Sequence, residues 1–378
     1  MKLEDICSYR TTKFNASEIR DDDLYISTES MAPNRGGVSR ATNIPESGKV
    51  TVFKQGDTLM SNIRPYFKKV WQASCDGYCS NDVLVMSATE SNVDYLYWLT
   101  SSDSFFDYVM ATAKGTKMPR GDKTAIMNFE IPPVNSLVQR RIVAALNPIR
   151  KKMSINTKLN GYLEELLLAK FDKLFPVNAN FTGILSDVGT VIGGATPSKK
   201  RSEYYCSNGI GWITPRDLSN TSDKFIAHGA DDITDEGYAS CSAKLLPKGS
   251  VLFSSRAPIG YIAIATDAVA TNQGFKSIVP KEEIGTAFVY CFLVRNKQRI
   301  ADMGAGTTFP EVSGKMMKSV ELAVPEQTLC AEFDFFAGPI LKQQEALERE
   351  NRELAALRDT LLPKLMSGEI DASQVDLI

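Results

Sequence analysis

Apolar and polar positions follow two textures along this chain, and each texture occurs twice. Residues 50–53, 58–61 and 82–86 are short apolar runs bounded by Gly, Asn and Asp, the pattern of strands closed by turns. Over residues 93–113 the period lengthens, and Leu96, Leu99, Phe105, Phe106 and Val109 fall on one face, which predicts a helix. Together these make residues 1–134 a mixed α/β module. A sustained helical pattern then begins: Ser136-Leu137-Val138-Gln139 has capping-box form, and Ile142, Leu146, Ile149, Met153, Leu159, Leu163, Leu166 and Leu167 continue the stripe. The chain repeats this sequence of textures, ending in a second stripe of Phe333, Phe336, Ile340, Leu347, Leu354, Leu357, Leu361 and Leu365.

Landmarks recur at nearly constant spacing. Gly56-Asp57-Thr58-Leu59-Met60-Ser61-Asn62-Ile63-Arg64-Pro65 returns as Gly249-Ser250-Val251-Leu252-Phe253-Ser254-Ser255-Arg256-Ala257-Pro258, where 249 − 56 = 193. Gly115-Thr116-Lys117-Met118-Pro119 returns as Gly306-Thr307-Thr308-Phe309-Pro310, where 306 − 115 = 191. The helical stripes match too, down to a polar Asn160 and Asn351. Matched asparagines suit two helices that pack on each other and fix their register at some cost in stability. The simplest closed arrangement is antiparallel, a rod with one module near each end and a pseudo-twofold axis. Pro148 and Pro339 should kink or restart each helix, leaving long segments at residues 149–175 and 340–366, each about 40 Å. The expected domains are residues 1–134, a helical spacer over 135–176, a second module over 177–326, and a second spacer with tail over 327–378.

Composition narrows the chemistry. A hydrophobic fraction of 43% and a charged fraction of 23% are those of an ordinary globular chain. No apolar run reaches the roughly 20 residues of a membrane span, and the N-terminus lacks a signal-peptide core, so the expected location is the cytoplasm. Seven irregularly spaced cysteines suit reduced thiols, and Cys75 and Cys79 have no second pair with which to hold zinc. The one histidine, His228, sits in a polar loop and reads as unpartnered, which disfavours histidine triads and multi-histidine metal centres. Asp21-Asp22-Asp23 and Asp231-Asp232 read as solvated turns. Gly193-Gly194 opens no phosphate loop, because the Gly-Lys-Ser/Thr ending is absent and Pro197 interrupts. With a net charge of −2, any nucleic-acid contact must come from local clusters such as Lys68-Lys69, Lys199-Lys200-Arg201, and Arg140-Arg141 with Arg150-Lys151-Lys152. Such a chain reads a target rather than transforms one.

These landmarks resemble the specificity subunit of type I restriction-modification systems over nearly the whole chain. The resemblance rests on Gly194-Ala195-Thr196-Pro197-Ser198, Ile210-Gly211-Trp212-Ile213, Asp217-Leu218, residues 252–260, Asn272-Gln273-Gly274, Gly306-Thr307-Thr308 and the tail from Leu361 to Ile370. The first half is looser, with Cys79-Ser80-Asn81-Asp82 and Lys117-Met118-Pro119-Arg120-Gly121-Asp122 but no Gly-x-Thr-Pro-Ser segment. The resemblance implies an α+β fold with two target-recognition domains separated by two long antiparallel, coiled-coil-like helices. It implies a non-catalytic subunit that binds a bipartite double-stranded DNA sequence and recruits two methyltransferase subunits and restriction subunits. S-adenosylmethionine, ATP and magnesium would belong to those partners, leaving this chain without a cofactor or metal.

Major-groove reading needs bidentate groups, Arg for guanine and Asn or Gln for adenine. Asn62, Arg64 and Asn81 in the first module, with Arg256, Asn272 and Gln273 in the second, supply them at what the sequence aligns as corresponding strand ends. Lys68, Lys69, Lys117 and Arg120, then Lys199, Lys200, Arg201 and Arg216, suit phosphate positioning. Arg64 and Arg256 could instead tie down turns. Asn160, Leu163, Leu167, Asn351, Leu354 and Leu361 are the expected helix-pairing residues. The acidic balance and long helices also admit a coiled-coil scaffold that organises protein partners without reading DNA.

Overall fold

The computed structural model describes residues 1–89, 93–176, 180–256, 258–306 and 310–374. Ala257, Thr307, Thr308 and Phe309 of the repeated motifs lie outside the described residues, as do the start of the second module at Val177 and the last residues of the tail. The chain divides into two compact units, residues 1–153 with 353–378, and residues 154–352.

In the first unit a four-stranded antiparallel sheet has the order Cys7–Tyr9, Val83–Ala88, Thr58–Ser61, Val70–Gln72. A second sheet runs Lys13–Asn15, Lys49–Phe53, Gly77–Cys79, Tyr25–Ile26. The helix expected over 93–113 forms as two, Val93–Thr100 and Asp103–Ala111. The break has a local cause. Ser101 and Ser102 hydroxyls bond back to the carbonyls of Tyr97 and Leu99, and Ser102 then caps the second helix at Phe105 N–H. Trp98, Phe105, Phe106 and Leu96 form the core with Ile142 and Leu146 of one long helix and Leu362, Leu365 and Met366 of the other.

The second unit repeats the first sheet strand for strand: Gly189–Gly193, Lys276–Pro280, Val251–Ser255, Ile259–Ala265, with Phe225–Ile226 added in parallel at the edge. Its core closes on Phe171 and Phe333, whose ring centroids are 5.7 Å apart, and on Phe288 of the helix Thr286–Asp302. At the repeat offset of 191, Phe171, Phe175 and Phe333 stand where Leu362, Met366 and Ile142 stand in the first unit.

Ser136–Leu174 and Gln327–Ser367 are single helices of 39 and 41 residues, so the restart expected at Pro148 and Pro339 does not occur. An interior proline costs a helix about 3 kcal/mol; here burial on either side outweighs it, with Leu146 and Ile149 flanking Pro148, and Ala337 and Ile340 flanking Pro339. Nor is Ser136 the cap. Asn135 Oδ1 accepts from the N–H groups of Leu137 and Val138 at 3.1 and 3.0 Å.

Within the second unit the helices pair antiparallel, since partners fall in number as residues rise: Asn156 with Asn351, Asn160 with Glu348, Lys170 with Glu332. Asn160 and Asn351 do not meet each other. They occupy equivalent places, Asn351 Nδ2 donating to Thr157 Oγ1 at 3.3 Å and Asn160 Nδ2 to Glu348 Oε1 at 3.1 Å. Leu167 is buried and Leu163 half-buried against the core, as Leu361 is in the first unit; Leu354 is half-buried. Leu159, Leu166 and Leu357, expected in the packed stripe, are exposed. Polar groups take the seam instead: Asn156, Gln344 and Glu348 are each at least 95% buried, at 1%, 1% and 4% exposure. The Glu348 carboxylate accepts from the backbone N–H groups of Lys224 and Phe225 at 3.1 Å. Burial pushes its pKa up more strongly than those hydrogen bonds pull it down.

Beside Pro148 lies a similar network. Trp98 Nε1–H donates to Asn147 Oδ1 at 2.9 Å, Asn147 Nδ2–H to Asp94 at 2.9 Å, and Arg150 to Asp94 at 3.0 Å. Burial raises the Asp94 pKa, but the Asn147 hydrogen bond and the Arg150 charge together outweigh it, and the carboxyl ends below its ordinary value. Asp94→Asn should therefore destabilise the protein at pH 7 by about 1–2 kcal/mol in urea unfolding. A depressed folded pKa contributes stability above the ordinary aspartate value of 3.8 and loses it as pH falls through the folded value. The difference between wild type and variant should shrink below that pH.

Candidate nucleic-acid interface

Each module ends its central strand in the same set of backbone bonds. In the first, Asn62 N–H donates to Asp82 O at 2.8 Å and Gly121 N–H to Asn62 O at 3.2 Å. In the second, Ser255 N–H donates to Gly274 O at 2.7 Å and Val312 N–H to Ser255 O at 3.0 Å. Single β-bridges then join Ile63 to Arg120 and Lys114 to Arg120 in one module, and Arg256 to Glu311 and Ala305 to Glu311 in the other. The equivalences are therefore Asn62 with Ser255, Ile63 with Arg256, Asn81 with Gln273, and Arg120 with Glu311. Arg64 and Arg256, aligned by residue type in the sequence, are one position apart; this corrects their pairing.

In the first module Arg64 N–H donates to Pro119 O at 2.8 Å, which lays the loop at 62–68 beside the one at 114–120. Asn34, Arg35, Arg64 and Lys68 all adopt positive φ, between 50° and 63°. Non-glycine residues in that region carry a strain of order 1 kcal/mol each and collect where a surface must be shaped. Arg64 and Lys117 are exposed and form no side-chain hydrogen bond or ion pair among the described residues, with Tyr66 and Met118 exposed next to them. The other candidates are committed elsewhere. Lys68 Nζ pairs with Asp103 at 2.7 Å, alongside the buried Arg35. Lys69 Nζ bonds Thr28 O at 2.7 Å, and burial pulls its pKa down. Asn81 Nδ2 bonds Lys49 O at 2.7 Å while its Oδ1 accepts from Lys13 at 2.5 Å. Asn62 is buried, its Oδ1 without a hydrogen-bond partner among the described residues, and Arg120 pairs with Asp82 at 2.7 Å.

In the second module the Gly194-Ala195-Thr196-Pro197-Ser198 segment lies on residues 271–273. Ala195 N–H donates to Thr271 O at 2.9 Å, Trp212 Nε1–H to Ala195 O at 3.1 Å, and Tyr205 O–H to Pro197 O at 2.8 Å. Thr196 Oγ1 hydrogen-bonds Gln273, which is exposed. Asn272 instead builds the turn, its Oδ1 accepting from Gly274 N–H at 2.8 Å. Lys199, Lys200 and Arg216 are exposed and make no side-chain bond among the described residues, whereas Arg201 pairs loosely with Glu203 at 3.4 Å. Arg256 and Lys276 both face Glu311, at 3.7 and 3.4 Å. His228, read as unpartnered, has Nδ1 at 2.7 Å from Asp232, and that aspartate is buried rather than solvated.

Residues 182–333 match the type I restriction modification DNA specificity domain. The MjaIX specificity subunit of a type I restriction enzyme from Methanocaldococcus jannaschii is 41% identical over 45% of this chain and 41% of its own length. The HindI specificity subunit of Haemophilus influenzae is 22% identical over 88% of this chain and 90% of its own. The second module thus carries a type I restriction modification DNA specificity domain, and the chain is similar to type I specificity subunits along most of its length. Its structure is similar to the crystal structure of the type I restriction-modification S subunit from M. genitalium, with a TM-score of 0.55 and 15% identity over 97% of this chain and 95% of that one. A likeness at that identity speaks for the fold alone.

Tyr66, Met118, Lys276 and Glu311 were missed from sequence. The constant spacing could have found Glu311, since 311 − 120 = 191 puts it opposite Arg120. Among the described residues no His/Cys/Asp/Glu group is placed to hold a metal, and no helix is long and apolar enough to cross a membrane.

Gly194 is among the tightest points of the second module: a Cβ there would lie 2.1 Å from Thr271 O and 2.3 Å from Asn272 O. Gly194→Ala must push this segment off residues 271–273. The expected loss is about 2 kcal/mol or more, read by urea unfolding.

Proposed function

We propose that this chain is the non-catalytic DNA-recognition subunit of a type I restriction-modification complex, reading a double-stranded target in two parts, one per module. The observation that carries this reading is the pair of identical backbone ladders with different side chains at their ends. Backbone bonds hold the loops whatever the side chains are, so the same frame can present Arg64 and Lys117 in one module and Gln273, Arg256 and Lys199-Lys200 in the other. The free cations suit phosphates, and the polar groups at the strand ends suit base edges.

Partner recruitment belongs to the same proposal. Ile155, Leu159, Tyr162 and Leu166 form an exposed stripe at helical spacing on the helix Ser136–Leu174. It offers a docking face for a methyltransferase subunit, with two such subunits and restriction subunits in the full complex. S-adenosylmethionine, ATP and magnesium act on those partners, and the complex works in the cytoplasm.

Selection of random duplexes by the chain assembled with its methyltransferase should return one two-part consensus. Binding that depends only on salt, with no consensus, would sink the reading in favour of a scaffold. In the assembled complex, Lys199→Ala and Lys200→Ala should weaken all sequences alike, each lowering the salt slope by about one.

A further inference from the structure

Arg120 and Glu311 occupy one backbone position in two copies of the same ladder, with opposite charge. Both sit beside the end of the central strand, bridged to Ile63 and Arg256 respectively. Both side chains are open to solvent, 52% and 40% exposed. A carboxylate on a surface that meets phosphates is repelled unless it has a task there.

A purely structural tie would place Glu311 in short hydrogen bonds, near 2.7–2.9 Å for charged partners. Instead its oxygens stand 3.4 Å from Lys276 Nζ and 3.7 Å from Arg256. The two cations lower the cost of bringing the carboxylate to DNA while leaving its lone pairs open. Arg256 and Lys276 cannot accept hydrogen bonds at all. Gln273 offers an amide, but its oxygen already accepts from Thr196. Glu311 is therefore the strongest open acceptor described in this cluster.

We propose that position 120/311 is a base-reading position in each module. Glu311 accepts a hydrogen bond from an exocyclic amino group in the major groove, with cytosine N4 the matching donor, and Arg120 leaves Asp82 to donate to the acceptor edge of a guanine. The two half-sites then differ in hydrogen-bond polarity at the corresponding base pair. This rests on the proposed DNA-reading function.

The test is methylome sequencing of cells carrying the full chain with its methyltransferase, comparing wild type, Glu311→Gln and Arg120→Gln, with thermal unfolding of each purified complex. Glu311→Gln should relax the preference at one base of one half-site, about tenfold or more, and leave the other half-site unchanged. Arg120→Gln should do the same at one base of the other half-site. Unchanged half-sites with full methylation in both variants would overturn the proposal. So would a uniform loss of methylation together with a lowered unfolding temperature, which is the mark of a structural tie. A wild-type methylome without any two-part motif would instead bring down the DNA-reading function on which this rests.

Discussion

The antiparallel pairing of the two long helices is the constraint on which the rest of the chain depends, and polar groups specify it. An apolar stripe can slip by a turn and still bury similar area, whereas a buried amide or carboxylate is costly unless its partner is in place. Asn156, Asn160, Gln344 and Glu348 pair only when the numbering runs as observed. Glu348 does more than set register, since the N–H groups of Lys224 and Phe225 end on the same carboxylate. One buried group thus joins helix pairing to the edge strand Phe225–Ile226 of the second unit's sheet.

Duplication supplies the other constraint. The backbone bonds at Asn62 and Ser255 are the same bonds, and the strand order around them is the same order. Because main-chain groups hold the ladder, substitutions at its ends cost little stability. That freedom explains how Ile63 can stand opposite Arg256 in the comparison of modules, and Arg120 opposite Glu311. The additions differ as well: a second four-stranded sheet in the first module, and in the second the turn-rich segment around Trp212 and Tyr205.

Repeat spacing, strand runs and both long helices were legible because each depends on periodicity or on glycine and proline placement. The continuity through Pro148 was not. A proline's local cost is visible in sequence, while the burial of Leu146 and Ile149 that offsets it is tertiary. The same holds for the split at Ser101-Ser102, where two hydroxyls turn back on the helix. Among site candidates, residue type misled twice. Lys68, Lys69 and Asn81 looked available until Asp103, Thr28 and Lys49 claimed them. Arg64 and Arg256 looked equivalent because each is an arginine close before a proline, yet the offset of 193 from Gly56 to Gly249 puts Arg256 opposite Ile63.

Under the proposed DNA-reading function, an acidic chain must ration its cations. Arg35, Lys68, Lys69, Arg150 and Lys224 are all engaged in internal pairs or hydrogen bonds. Arg64, Lys117, Lys199, Lys200 and Arg216 remain exposed without such bonds among the described residues, and every one of them lies in a loop or short helix at the edge of its module. Under the same proposal, so few free cations allow few phosphate contacts and keep nonspecific affinity low. A weakly attracted reader discriminates through base contacts and draws its remaining affinity from whatever it assembles with, which is the division of labour expected of a recognition subunit.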